Sequence, residues 1–155
     1  MAVGAAPGAP IPFLNTLAQE TSPAFSPDGH WIAYVSNESG RSSVYVTRFP
    51  EPGGKWQVSV EGGGFPVWSR DGRELFYRAP DGKLMAVPLK TDPDFDAGAA
   101  TPLFTPRINV GGPGGGFFYD VAPDGRFLVN VIVDQTIPPA TVVMNWTPGT
   151  TAPQP

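Results

Sequence analysis

Apolar and polar residues alternate along this chain in short bursts, and glycine and proline separate the bursts. The stretch SPDGHWIAYVS, 26–36, shows the pattern in its clearest form. A type I turn takes proline at its second position and glycine at its fourth, and Ser26-Pro27-Asp28-Gly29 has that order. Gly29 is free to take the left-handed conformation that joins such a turn to a bulge in a hairpin. The Asp28 carboxylate can bond the nearby backbone and hold the turn closed. The residues that follow are aromatic and β-branched, which predicts a strand. The signal returns at Ser69-Arg70-Asp71-Gly72 before RELFYRA and at Ala122-Pro123-Asp124-Gly125 before RFLVNVIV. A further Pro80-Asp81-Gly82 turn lies inside the second unit. Asp28, Asp71 and Asp124 are 43 and then 53 residues apart.

A period of 40 to 50 residues with several strands per unit is the signature of propeller blades. The first unit, 21–60, predicts strands at 23–26, 30–36, 43–49 and 56–60. The second, 64–106, predicts them at 65–69, 73–79, 83–89 and 101–105. The third, 117–147, predicts 117–122, 126–133 and 141–146 but lacks a fourth. An unpartnered strand, Ile11-Pro12-Phe13-Leu14-Asn15-Thr16, stands ahead of the first unit. The expected fold is therefore all-β: a partial β-propeller of three four-stranded antiparallel blades. Its N-terminal strand is available to complete the last blade in another chain. Residues 1–10 read as a flexible leader and 148–155 as a tail.

Composition narrows the function. The 155 residues hold 19 Gly and 20 Pro, which fall between apolar runs as turn punctuation. The chain has no cysteine, so disulfides and cysteine-ligated metals are excluded. A net charge of −4 leaves no basic patch for a nucleic-acid partner. No apolar run approaches a membrane-spanning length. The opening MAVGAAPGAPIPF lacks the basic and apolar regions of a signal peptide.

The segment PAFSPDGHWIAYVSNESGRSSVYVTRFP resembles the TolB-like β-propeller repeat, a relative of the WD-repeat propellers. The blocks GGKWQVSVEGGGFPVWSRDGRELFYRAPDGKLMAVPL, TPLFT, YDVAPDGRFLVN and VVMNW resemble the C-terminal part of propellers attached to bacterial serine/threonine kinases. The resemblance covers about residues 11–147. It implies a recognition or scaffold module outside the cytoplasm, without catalysis. No kinase motif is present. Family members usually carry about six blades, where this chain carries three.

Three blades do not close a ring, since propellers have about four to eight. An open arc leaves apolar faces in water and strand edges unpaired, and open edges template pairing. Two half-circles related by a twofold axis would complete a six-bladed ring, each chain donating 11–16 by strand addition. The expected partner is thus the chain itself, as a dimer or filament, or the remainder of a longer propeller. The leading functional reading is a non-enzymatic module that self-assembles by strand exchange. The alternative is an extracytoplasmic sensor segment of a receptor-like kinase. A propeller serving a separate hydrolase domain is a third.

The candidate chemistry is thin. His30 is the single histidine and directly follows a turn glycine, with no G-x-S-x-G elbow for a hydrolase triad. Asp92, Asp94 and Asp96 alternate loosely like a calcium loop, but Pro93 and the late Gly98 break the pattern, so they read as an acidic loop. The run GGPGGG, 111–116, lacks the lysine and helix of a phosphate loop. Trp31, Trp56, Trp68 and Trp146 read as blade core. No catalytic residue, metal site or cofactor is expected. The loops Thr21–Ser22, Gly62–Gly64 and Val110–Gly116 are the candidate binding surface, by analogy with propellers.

Overall fold

The computed structural model describes residues 12–51, 53–107 and 118–131. Among them there is no helix, and eleven strands form antiparallel pairs. The first sheet runs β1 (Glu20–Phe25), β2 (Trp31–Ser36), β3 (Ser43–Arg48) and β4 (Lys55–Gln57), each beside the next. The second begins β5 (Gly64–Trp68), β6 (Glu74–Arg78) and β7 (Leu84–Lys90). Two short strands, β8 (Asp96–Ala97) and β9 (Thr101–Phe104), then share the outer edge of β7. A hairpin of β10 (Tyr119–Val121) and β11 (Phe127–Val129) follows.

The sheets stack face to face, and the pleat explains how. Successive side chains in a strand point to opposite faces. One face of the second sheet, with Trp68, Leu75, Tyr77 and Val87, packs on Trp31, Ala33, Val35, Val44 and Val46 of the first. Its other face, with Phe76, Leu84 and Ala86, packs on Tyr119 and Val121 of the hairpin, with Phe127 and Val129 against them. β2 and β6 are therefore apolar on both faces, unlike the half-solvated strands of a single sheet. Leu75 and Leu84 are completely buried, each contributing about 1.5–3 kcal/mol by removal from water.

The same positions recur in each joint. Phe25↔Ile32, Trp68↔Leu75 and Val121↔Phe127 are the cross-strand pairs beside the three repeated turns. The second and third pairs lie on the near face, toward the preceding sheet. Ala24↔Ala33, Val67↔Phe76 and Asp120↔Leu128 are the next pairs and lie on the far face. A hydrogen bond reinforces each joint. The Trp68 indole N–H donates to the Ala24 carbonyl at 3.0 Å, and the Tyr119 hydroxyl donates to the Phe65 carbonyl at 2.7 Å.

Several sequence expectations need correction. No strand forms over residues 12–16. Pro12 has no N–H to give a ladder, and Phe13 and Leu14 pack within their own chain. β1 starts at Glu20 rather than 23, because a bulge at Ser22-Pro23 lets the pairing resume toward the N-terminus. The same bulge occurs at Phe65-Pro66, and Ser22 and Phe65 both have positive φ, 51° and 57°. The fourth strand of the first sheet ends at Gln57, short of 60. There the Ser59 hydroxyl turns inward and accepts the Val44 N–H at 2.7 Å. The acidic loop 92–98 is partly a strand, and its Phe95 is buried against Trp31 and Trp56, with ring centroids 5.2 and 4.9 Å away. The strand read at 141–146, Trp146, the loop 110–116, the leader 1–10 and the tail 148–155 lie outside the described residues.

Replacing Leu75 by alanine is expected to cost about 2–5 kcal/mol, read as a lower urea midpoint. Val60→Ala, at a side chain 72% exposed, should stay within about 0.5 kcal/mol of the parent. Equal effects of the two substitutions would mean that the joint between the sheets does not govern stability.

Candidate functional site

The four aspartate turns occur in two chemical forms. In Ser26–Gly29, the Gly29 N–H donates to the Ser26 carbonyl at 2.9 Å. The Ser26 hydroxyl donates to Asp28 Oδ1 at 2.5 Å, the same oxygen accepts the His30 N–H, and the Trp31 N–H donates to Ser26 Oγ. Ser69–Gly72 repeats every one of these contacts, with Asp71, Arg73 and Glu74 in the corresponding places. Glycine is required because φ is +75° at Gly29 and +72° at Gly72.

The turns at Ala79–Gly82 and Ala122–Gly125 lack the serine. Their loops close one residue sooner, Ala79 to Lys83 and Ala122 to Arg126. A cation then takes the place of the hydroxyl: Lys83 reaches Asp81 and Arg126 reaches Asp124, both at 2.7 Å. All four carboxyls are held below their ordinary value of 3.8. At Asp28 partial burial pushes upward but is outweighed by the Ser26 hydroxyl and the His30 N–H. The Ser69 hydroxyl leads at Asp71, the Lys83 ammonium at Asp81, and the Arg126 backbone N–H at Asp124. Every one of these partners is local, so the carboxylates act on the turns that contain them.

The leading segment forms a different kind of feature. The Gln19 N–H donates to Asn37 Oδ1 at 2.9 Å, and the Ala18 N–H donates to Thr16 Oγ1. Ahead of them, Phe13 and Leu14 pack on the near face of the first sheet, against Ile32, Tyr34 and Tyr45. The Phe13 ring lies 5.4 Å from that of Phe49, which in turn meets Phe25 edge-on at 5.0 Å. Burial here, with the Glu38 and Glu20 charges nearby, pushes the Tyr34 hydroxyl up to about 12.

Two of the candidate loops meet in a groove between the first and second sheets. It holds about 360 Å³ and is lined by Thr21, Ser22, Gly63, Gly64 and Phe65, with Arg78 and Pro80 opposite. Gly62 and Gly63 are buried. The Gly63 N–H donates to the Ser42 carbonyl, and a side chain at Gly63 would strike the Tyr77 ring. These glycines thus make the joint between sheets as well as the rim of the groove. The Arg78 Nε is buried and has no hydrogen-bond partner among the described residues.

His30 lines a larger open groove of about 800 Å³ at the opposite end, with Asp28, Arg48, Glu51 and Asp92. The Arg48 guanidinium lies 5.1 Å from the Trp31 ring centroid. The Asp28 carboxylate takes the His30 backbone N–H, so the pair is a turn and does not form the ring contact a triad needs. Among the described residues no group of three or more His, Cys, Asp or Glu side chains is placed to hold a metal ion, and no helix is long and apolar enough to cross a membrane. Phe95 lies in what reads as a polar loop, and its one signal in the sequence is that it is the single aromatic residue between acidic neighbours in DPDFDAG.

No family model matches this chain. No curated protein matches it either. Among solved structures it is similar to one assigned to TolB from Agrobacterium tumefaciens, at 20% identity and a TM-score of 0.46. The match covers 59% of this chain and 35% of that one, so the chain spans about a third of that protein's length.

Acid should destabilise the fold through the turn carboxylates. Their folded values are depressed, so the stability they supply is full above 3.8 and is lost as pH falls through the lower folded values. Urea midpoints are expected to hold from pH 6 down to about 4 and then drop. The double variant Asp28→Asn/Asp71→Asn should show a smaller drop; an unchanged acid limb would remove these carboxylates as its cause.

Proposed function

We propose that this chain is a non-enzymatic recognition and scaffold module of the β-propeller type, completed by blades outside the single chain. One observation carries this reading: near face stacks on far face at both joints, so the two ends of the stack are unlike and complementary in kind. A stack built this way offers one near face and one far face to further blades.

A second copy is the partner we favour, with residues 11–16 donated as a strand to its third sheet. The support is local: Phe13, Leu14 and Asn15 make no backbone hydrogen bond among the described residues. Their N–H and C=O groups are therefore available to a strand edge. The alternative is an extracytoplasmic sensor segment of a bacterial receptor-like kinase, whose remaining blades would lie on the same polypeptide. It rests on the sequence resemblance alone, and the parent gene decides it, since a kinase region must then lie upstream.

Native mass spectrometry and light scattering test the assembly. The full chain should form a dimer or a larger species, and a chain lacking residues 1–18 should dissociate. A single species of 16.4 kDa across the concentration range would overturn self-assembly, and an undiminished assembly of the truncated chain would remove strand donation from it.

A further inference from the structure

We infer that Phe13 and Leu14 form a displaceable cap in cis, and that the surface beneath it docks the far face of the third sheet of a second copy. This rests on the reading of the chain as a module completed by another copy, and it names the surfaces that meet.

The internal repeat identifies the occupant. The pair Trp68↔Leu75 buries itself against the far face of the first sheet, and Val121↔Phe127 against the far face of the second. Phe25↔Ile32 is the corresponding pair of the first sheet, and no sheet precedes it among the described residues. Ile32, Tyr34 and Tyr45 instead carry Phe13 and Leu14, both only partly buried themselves. Phe25 remains 57% exposed at the border of the cap. Among the described residues, two side chains of a non-strand segment, with Phe49 beside them, thus cover a face that, in the next sheet, takes a whole sheet.

The complementary surface is at the other end. Ala24↔Ala33 and Val67↔Phe76 are far-face pairs and are covered by the next sheet. Asp120↔Leu128 is the third such pair, and there Leu128 is 58% exposed. Docking the two surfaces continues the joint already formed twice within the chain.

Cap and second copy compete for one face, so weakening the cap's side chains, with the 11–16 backbone kept for strand donation, should strengthen association. Sedimentation velocity on the full chain, with circular dichroism to establish folding, tests this. Phe13→Ser/Leu14→Ser should lower the dimer dissociation constant at least tenfold. Leu128→Glu, at an exposed position, should abolish association in both backgrounds. Hydrogen exchange is a second readout: raising the concentration should protect Phe127–Asn130 in the parent and not in Leu128→Glu. Weaker association of the cap variant, or association indifferent to Leu128→Glu, overturns the proposal while leaving a self-assembling module intact. If all folded variants remain monomeric, both readings fall together.

Discussion

The stack depends on one constraint: its central strands are apolar on both faces, so no sheet is stable alone. Trp31, Ala33 and Val35 face one way along β2, Ile32 and Tyr34 the other, and all five are buried. A strand of this kind needs a layer on each side. The second sheet supplies one layer and the leading segment supplies part of the other. The bulges at Ser22-Pro23 and Phe65-Pro66, the indole bond from Trp68 and the hydroxyl bond from Tyr119 all serve the spacing between layers. The two ends of the stack are unlike for the same reason, since a near face meets a far face at each joint.

Much of the strand pattern was legible because alternation and turn chemistry are local. HWIAYVS and RELFYRA place β2 and β6 almost to the residue, since a turn fixes where the next strand begins. The two forms of turn were harder to read. Ser-x-Asp-Gly and Ala-Pro-Asp-Gly look alike as strings, and only the loop closure shows that a hydroxyl does in one what a lysine or arginine does in the other. Tertiary choices were legible only in part: Trp31, Trp56 and Trp68 do lie in the core between sheets, as read. IPFLNT has the composition of a strand, yet the fate of Phe13 and Leu14 depends on an apolar face that forms elsewhere. Phe95 lay hidden for the same reason, its partners being Trp31 and Trp56 in another sheet.

The candidate site shows the same division. The loops at 21–22 and 62–64 do converge on one groove, but Gly62 and Gly63 are there because Tyr77 and Ser42 leave no room for a side chain. A glycine run that looks like a pliable rim is thus a close-packed joint. The acidic residues likewise look like a set in sequence and act singly in space, each occupied with its own turn.

Phe95 has a practical corollary for anyone adding residues to this chain. A proline-bearing, acid-rich loop on the outer edge of a sheet is where an epitope or affinity tag would ordinarily be grafted. Here that loop packs an aromatic ring against two tryptophans of the neighbouring sheet, which also touch each other. Lengthening it would withdraw the ring and pry the two sheets apart, so the segment behaves as a rivet and is closed to insertion.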